Sequence, residues 1–175
     1  MADIPLRLAI LQRLTALLEQ INAPDHAGVP YNLVGQVFRG RTEFGDETAI
    51  PALSILEAPN PDLGVFAGNN EAFRDTWVLL IQGWAVDDKA NPSDPAYYLA
   101  AATQKQLSRV VAMRSDGSGR ELDPVNYLLG NSIVGMQVGP YVVRPLEKAA
   151  SARAFFYLPI RISVAQSIEH PYLTA

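Results

Sequence analysis

Few side chains in this sequence have the types and spacing that bond-making chemistry requires. There are two histidines, His26 in a Pro/Gly-rich loop and His170 near the C-terminus. Neither has a second histidine, or a carboxylate at a recognised ligand spacing, with which to hold a metal. A lone loop histidine of this kind reads as a solvated side chain. The adjacent carboxylates Asp46–Glu47 and Asp87–Asp88 have the chemistry to share a proton, but at loop positions they read as solvated charge. A nucleophile elbow needs Gly-x-Ser-x-Gly, whereas "GNSIVG" places Gly135 one residue too late after Ser132. No Gly-Lys-Ser/Thr triplet marks a phosphate-binding loop. "GSGREL" has two of the three glycines of a dinucleotide fingerprint and follows a helical stretch instead of a strand. "DDKANPSD" and "DGSGRELD" lack the ligand series of a calcium loop. With no cysteine in the chain, disulfides, thiolate catalysis and Cys-ligated metals are excluded. The sequence therefore reads as a non-enzyme with no cofactor.

The stretch "VFRGRTEFGDETAIPALSILEAPNPD", Val37 to Asp62, is the most distinctive for charge. Arg39 and Arg41 stand two apart, which on a strand brings both side chains to one face. A phosphate site would add the backbone N–H groups of a helix N-terminus, and here the chain continues into strand. Paired arginines with Glu43, Asp46 and Glu47 close by suit contacts between proteins, including a head-to-tail contact between copies of one chain. Ordinary surface decoration is the alternative on these residues alone.

The elements that must carry these residues follow from periodicity. "PLRLAILQRLTALLEQI" places Ile10, Leu11, Leu14, Leu17, Leu18 and Ile21 on one helical face, with Arg7, Arg13 and Glu19 off it. Pro5 suits the first turn, and Pro24, Gly28 and Pro30 end the helix. "GQVFRGR", "PALSILEA" and "FRDTWVLLIQGWAVDD" read as strands. In the third, Phe73, Trp77, Leu79 and Ile81 share one parity, and apolar residues reach both faces, as a central strand requires. A Pro/Gly/Asn-rich loop containing Phe66 precedes it. "NPSDPAYYLAAATQKQLSRVVAMR" reads as a second helix, capped at Ser93 or Asp94, with Pro95 in its first turn. Its buried stripe runs through Leu99, Ala102, Leu107, Val110 and Val111. "SIVGMQVG", "YVVRP" and "ARAFFYLPIRISVAQ" are again strands. The last alternates Ala154, Phe156, Leu158, Ile160, Ile162 and Val164 against Arg153, Tyr157, Arg161 and Ser163, with an edge or bulge expected at Pro159. The sum is a single α+β domain over residues 1–175, a mostly antiparallel sheet packed against two α-helices.

Composition agrees. Of 175 residues, 49% are hydrophobic and 18% charged, which is ordinary for a globular domain and wrong for disorder. No apolar run approaches the roughly 20 residues that span a bilayer. The N-terminal segment is interrupted by Arg7, Gln12 and Arg13, unlike a secretory signal, so the chain reads as cytoplasmic and without a membrane partner. A net charge of −4 gives no general attraction to DNA. Arginine far outnumbers lysine, which occurs only at Lys89, Lys105 and Lys148.

Three blocks taken together resemble the tail terminator proteins of long, non-contractile-tailed bacteriophages and related prophages. They are "VFRGRTEFGDETAIPALSILEAP", "WVLLIQGWAVDDKANPSDPAYYL" and "GMQVGPYVVRPLEKAASARAFFYLPIRISV". The resemblance lies in pattern and order, not in an invariant motif. It implies a homo-hexameric ring in the tail–neck region of a virion, assembled in the bacterial cytoplasm. Such a ring docks on the last ring of the major tail tube protein, stops its polymerisation, and receives a neck or head-completion protein on its other face. DNA passes through it without specific binding. The family pattern singles out no contact residues; those expected from their charge or apolar character on surface strands and loops are Arg39, Arg41, Glu43, Phe44, Phe66, Asp87, Asp88, Arg144 and Arg153. The alternatives are another phage ring (head–tail connector or tube subunit), a small assembly enzyme, or a peptide-binding module using the strand edge near Pro159.

Overall fold

A computed structural model describes residues 3–43, 48–57, 72–86, 88–144, 154–167 and 169–173, with backbone alone for a few strand-end residues. In chain order the elements are β1 (Ile4–Pro5), α1 (Leu6–Leu18), β2 (Val37–Arg39), β3 (Ala52–Glu57), β4 (Ala72–Ala85), α2 (Asp94–Ser108), β5 (Gly135–Val138), β6 (Val142–Arg144), β7 (Ala154–Ser167) and β8 (Tyr172–Leu173). β1 and β8 form a separate antiparallel pair. The main sheet runs β2-β3-β4-β7-β5, with β6 also on β7. Among the described residues only β2–β3 is parallel; the other pairings are antiparallel. This is the expected α+β arrangement, a mostly antiparallel sheet with two long helices.

Both helices lie on one face of the sheet. Ile10, Leu14, Leu17 and Leu18 of α1 and Leu99 and Leu107 of α2 are buried against Leu53, Ile55, Leu79, Ile81, Phe156, Leu158, Ile160 and Ile162. The alternation of β4 and β7 produces this layer directly, because successive side chains of a strand point to opposite faces. Between the helices, the buried Gln106 Nε2 donates to the Leu17 carbonyl at 2.9 Å, which also accepts from Gln20 N at 3.2 Å, so the last turn of α1 is tied to α2. In α2, Asp94 in the first turn and Lys105 in the last match the helix dipole.

Several details depart from the sequence reading. α1 stops at Leu18, and Pro5 lies before its first turn, paired with Tyr172. Val111 is 36% exposed and lies beyond α2 instead of in its buried stripe. The strand in "GQVFRGR" is only Val37–Arg39, because Gly40 has φ +70°, a left-handed conformation that turns the chain off the sheet direction. Pro159 is not at a free edge. It pairs with Leu80 of β4 on one side, and on the other its carbonyl accepts a hydrogen bond from Gly139 N at 2.9 Å. β5 ends opposite Ile160 and β6 begins opposite Tyr157, so the missing proline N–H falls at the break between them. That placement closes the edge needed for strand addition at Pro159.

The chain between α2 and β5 holds an unusual turn. Leu128, Leu129, Gly130 and Asn131 have φ of 47°, 51°, 64° and 61°, one turn of left-handed helix. Arg13 of α1 holds it, donating to the carbonyls of Leu129 (2.7 Å) and Gly130 (3.0 Å) and to Ser132 Oγ (2.5 Å).

Candidate interaction surface

The face of the sheet opposite the helices takes its side chains from the other strand parity. Registration puts Phe38 of β2 beside Ser54 of β3, Leu56 beside Leu80 of β4, and Gln82 beside Tyr157 of β7. Val78 pairs with Arg161, and Val142 of β6 with Tyr157. Among the described residues no helix covers this face. Val78 is 37% and Val142 52% exposed, while Trp84 is buried. Phe155 and Tyr157 meet edge to face with ring centroids 5.4 Å apart, a favoured aromatic geometry. The result is a mixed apolar and aromatic surface with a cation, Arg161, standing on it.

The expected contact residues fall in three places. Arg39 and Arg41 do not share a face, contrary to the strand-spacing argument. Arg39 points to the helix side, where its Nη1 donates to Thr15 Oγ1 at 3.0 Å. Arg41, past the left-handed Gly40, lies over the Phe38 ring at 4.6 Å on the opposite side. It donates from Nε to the Glu43 carbonyl at 3.1 Å and from Nη2 to Thr48 Oγ1 at 3.0 Å. Its own carbonyl accepts from the buried Ser54 hydroxyl at 2.7 Å. Arg41 and Glu43 are thus one unit, a loop folded back on the helix-free face, and Arg39 belongs to another.

Asp88 lies elsewhere, beyond the end of β4. Its Oδ1 accepts from Ala90 N (2.9 Å) and Asn91 N (2.7 Å), and Oδ2 stands 3.6 Å from His26 Nε2. The Asn91 N–H, and then the Ala90 N–H and His26, hold this carboxyl below its ordinary range. His26 is accordingly a partly buried residue with a carboxylate partner, its side chain 26% exposed, and not the solvated loop side chain expected from sequence. Arg144 ends β6, its backbone paired opposite Phe155. Phe44, Phe66, Asp87 and Arg153 lie outside the described residues.

Sequence reasoning missed the arginines that do the long-range work. Arg7 pairs with Asp75 and lies 5.0 Å from the Trp77 ring; Arg13 clamps the left-handed turn; Arg109 binds Asp123 at 2.5 Å. Arg7 and Arg13 are off the apolar stripe of α1, and that position was the available signal: they flank the buried face instead of opposing it.

Among the described residues no group of three or more His, Asp or Glu side chains is arranged to hold a metal ion, and no helix is long and apolar enough to cross a membrane. No protein-family model matches this chain, and no curated protein matches it.

Proposed function

We propose that this chain is a structural subunit of a phage tail terminator. Copies form a ring, hexameric in the family it resembles, that caps the tail tube, stops tube polymerisation and presents a surface for head joining. Its partners on this reading are itself, the major tail tube protein and a neck or head-completion protein. It makes and breaks no bond and needs no cofactor. The observation that carries the reading is the one-sided sandwich: both helices cover one face of the sheet, and the other presents apolar and aromatic side chains. Among the described residues the end strands β2 and β5 each pair on one side only. Surfaces of this kind suit lateral packing into a ring and stacking on another ring. The Arg41–Glu43 loop belongs to the helix-free face and is assigned to contacts there; Arg144, at the end of β6, is assigned to contacts from the sequence. Phe44, Phe66, Asp87 and Arg153 are assigned to contacts from their residue types in the sequence alone.

Electron microscopy of lysates with the gene intact and silenced tests this. Silencing should leave overlong tails without heads, and the wild-type gene should restore uniform length. Absent tubes would identify a tube or initiator component instead, and tails of normal length that fail to join heads would identify a connector. Normal infectious particles would overturn the reading.

A further inference from the structure

Where β2 and β3 begin and β4 ends, the 25–36 loop, the 49–51 turn and the start of α2 enclose a cavity of about 370 Å³. Its mouth is apolar, with Val34 71% and Val86 53% exposed. Its wall is polar and underpartnered. His26 Nδ1, Tyr31 Oη and Gln36 Oε1 are each shut off from solvent, and none has a hydrogen-bond partner among the described residues. A buried polar atom left unpaired carries a desolvation cost, and three such atoms belong to residues that line this one cavity.

The chemistry of a group that would pair them follows from charge and donor count. Asp25 lines the cavity and Asp88 stands behind His26, while no lysine or arginine lines it among the described residues. His26 Nε2 faces the Asp88 carboxylate at 3.6 Å, and in the tautomer with its proton on that side Nδ1 is an acceptor. Gln36 Oε1 is an acceptor. Burial, and secondarily the Asp25 charge, raise the Tyr31 hydroxyl well above its ordinary pKa, so it stays neutral. An acidic, acceptor-rich wall behind an apolar mouth calls for a cation with several donors spread in a plane. A guanidinium, with five N–H groups, meets this better than an ammonium.

We propose that this cavity receives the guanidinium of Arg161 from a second copy of the chain. Arg161 is exposed on the helix-free face, opposite the exposed Val78 and two residues from Pro159. Among the described residues its side chain has no hydrogen bond or ion pair. It is a cation set in an apolar patch, which complements an acidic cavity with an apolar rim. Donor and receptor lie on different parts of one molecule, so the contact is head-to-tail, the kind that closes into a ring. A small rotation of the Gln36 amide and the His26 ring on entry brings their unpaired atoms to the incoming donors. This inference rests on the ring reading above.

Sedimentation velocity of the full chain over a concentration series tests it. Arg161→Ser should raise the concentration needed for assembly at least tenfold, and Tyr31→Phe with Gln36→Leu should do the same. Millimolar N-acetyl-arginine amide should disperse the wild-type assembly, and N-acetyl-norleucine amide should not. Arg120→Ser, which changes another exposed arginine, should assemble as wild type. Arg161 is on the surface, so its variant keeps the fold and the test holds even if the cavity variant does not. Wild-type assembly unchanged by Arg161→Ser overturns the inference and leaves the ring standing. A wild-type chain that stays monomeric also overturns it, and the tail-length experiment then decides the terminator reading by itself.

Discussion

The ring of Phe156 lies over Gly83, its partner across the β4–β7 ladder. A Cβ at residue 83 would stand 2.2 Å from Phe156 Cε1 and 2.8 Å from Leu53 Cδ2. Glycine is therefore required here by space and not by backbone conformation. Gly83→Ala should destabilise the fold by about 1–3 kcal/mol through overpacking. In a Phe156→Leu background the added methyl should cost less, because the two changes share one volume. Urea unfolding of the single and double variants measures both. Additive losses would show that the ring and the glycine do not compete for space.

The left-handed turn at Leu128–Asn131 makes a second prediction. Each non-glycine residue in this conformation costs roughly 1–2 kcal/mol, and burial of Leu129 and the three bonds from Arg13 offset it. Arg13→Ala should lower stability by about 1–2 kcal/mol, since hydrogen bonds from a charged donor are worth more than neutral ones. Arg13→Lys should recover only part of this: all three bonds come from the single nitrogen Nη1, and the shorter lysine chain has to carry its ammonium to the same spot. Denaturant midpoints report the order wild type, Lys, Ala. An alanine variant as stable as wild type would assign the turn's stability to Leu129 alone.

The buried layer is visible in advance because β4 and β7 alternate over fourteen residues each, and a period of two fixes which side chains face the helices. α1 and α2 are visible for the same reason at a period near 3.6. The Arg39–Arg41 arrangement is not, because it turns on one backbone angle at Gly40 that periodicity does not encode. Nor is the role of Pro159: its missing donor predicts a break in the ladder, but whether the strand or its neighbour breaks depends on how β5 and β6 share β7. The cavity at His26, Tyr31 and Gln36 is built from loop residues brought together by tertiary structure, and no local pattern announces it. Sequence spacing is therefore informative along strands and helices and silent where loops converge.

Acid should weaken the fold through Asp123. Its carboxylate accepts from the Asn126 side-chain amide at 2.8 Å and from Arg109 at 2.5 Å, and its side chain is 11% exposed. The Asn126 hydrogen bond first, with Arg109 contributing, holds its pKa below the ordinary value. A depressed folded-state pKa means that the unfolded chain binds the proton more readily. The stabilisation is therefore fully present above the unfolded value of about 3.9 and is lost as pH falls through the folded one. Asp123→Asn should be less stable than wild type at neutral pH, and the gap should close on acidification below about pH 4. Thermal melts of both proteins across that range measure it. A gap independent of pH would locate the loss in packing instead of in the carboxylate's charge.

Arg39 and Arg41, two apart in sequence and separated by the Gly40 turn, should fail independently. Arg39 serves the helix side through Thr15, whose hydroxyl also donates to the Leu11 carbonyl at 2.8 Å. Arg39→Glu should therefore act on the seating of α1 and appear as lost stability. Arg41 serves the helix-free face, stacked on Phe38 and bound to Thr48 and the Glu43 backbone. Arg41→Glu should disturb that face and appear as lost assembly at nearly unchanged stability. With no shared partner among these bonds, a double-mutant cycle on unfolding free energy should give a coupling below about 0.5 kcal/mol. Tail length in complemented lysates should follow the Arg41 change and not the Arg39 change in molecules that remain folded. A large coupling, or equal assembly defects from both variants at equal stability, would mean that the two arginines work as one face after all.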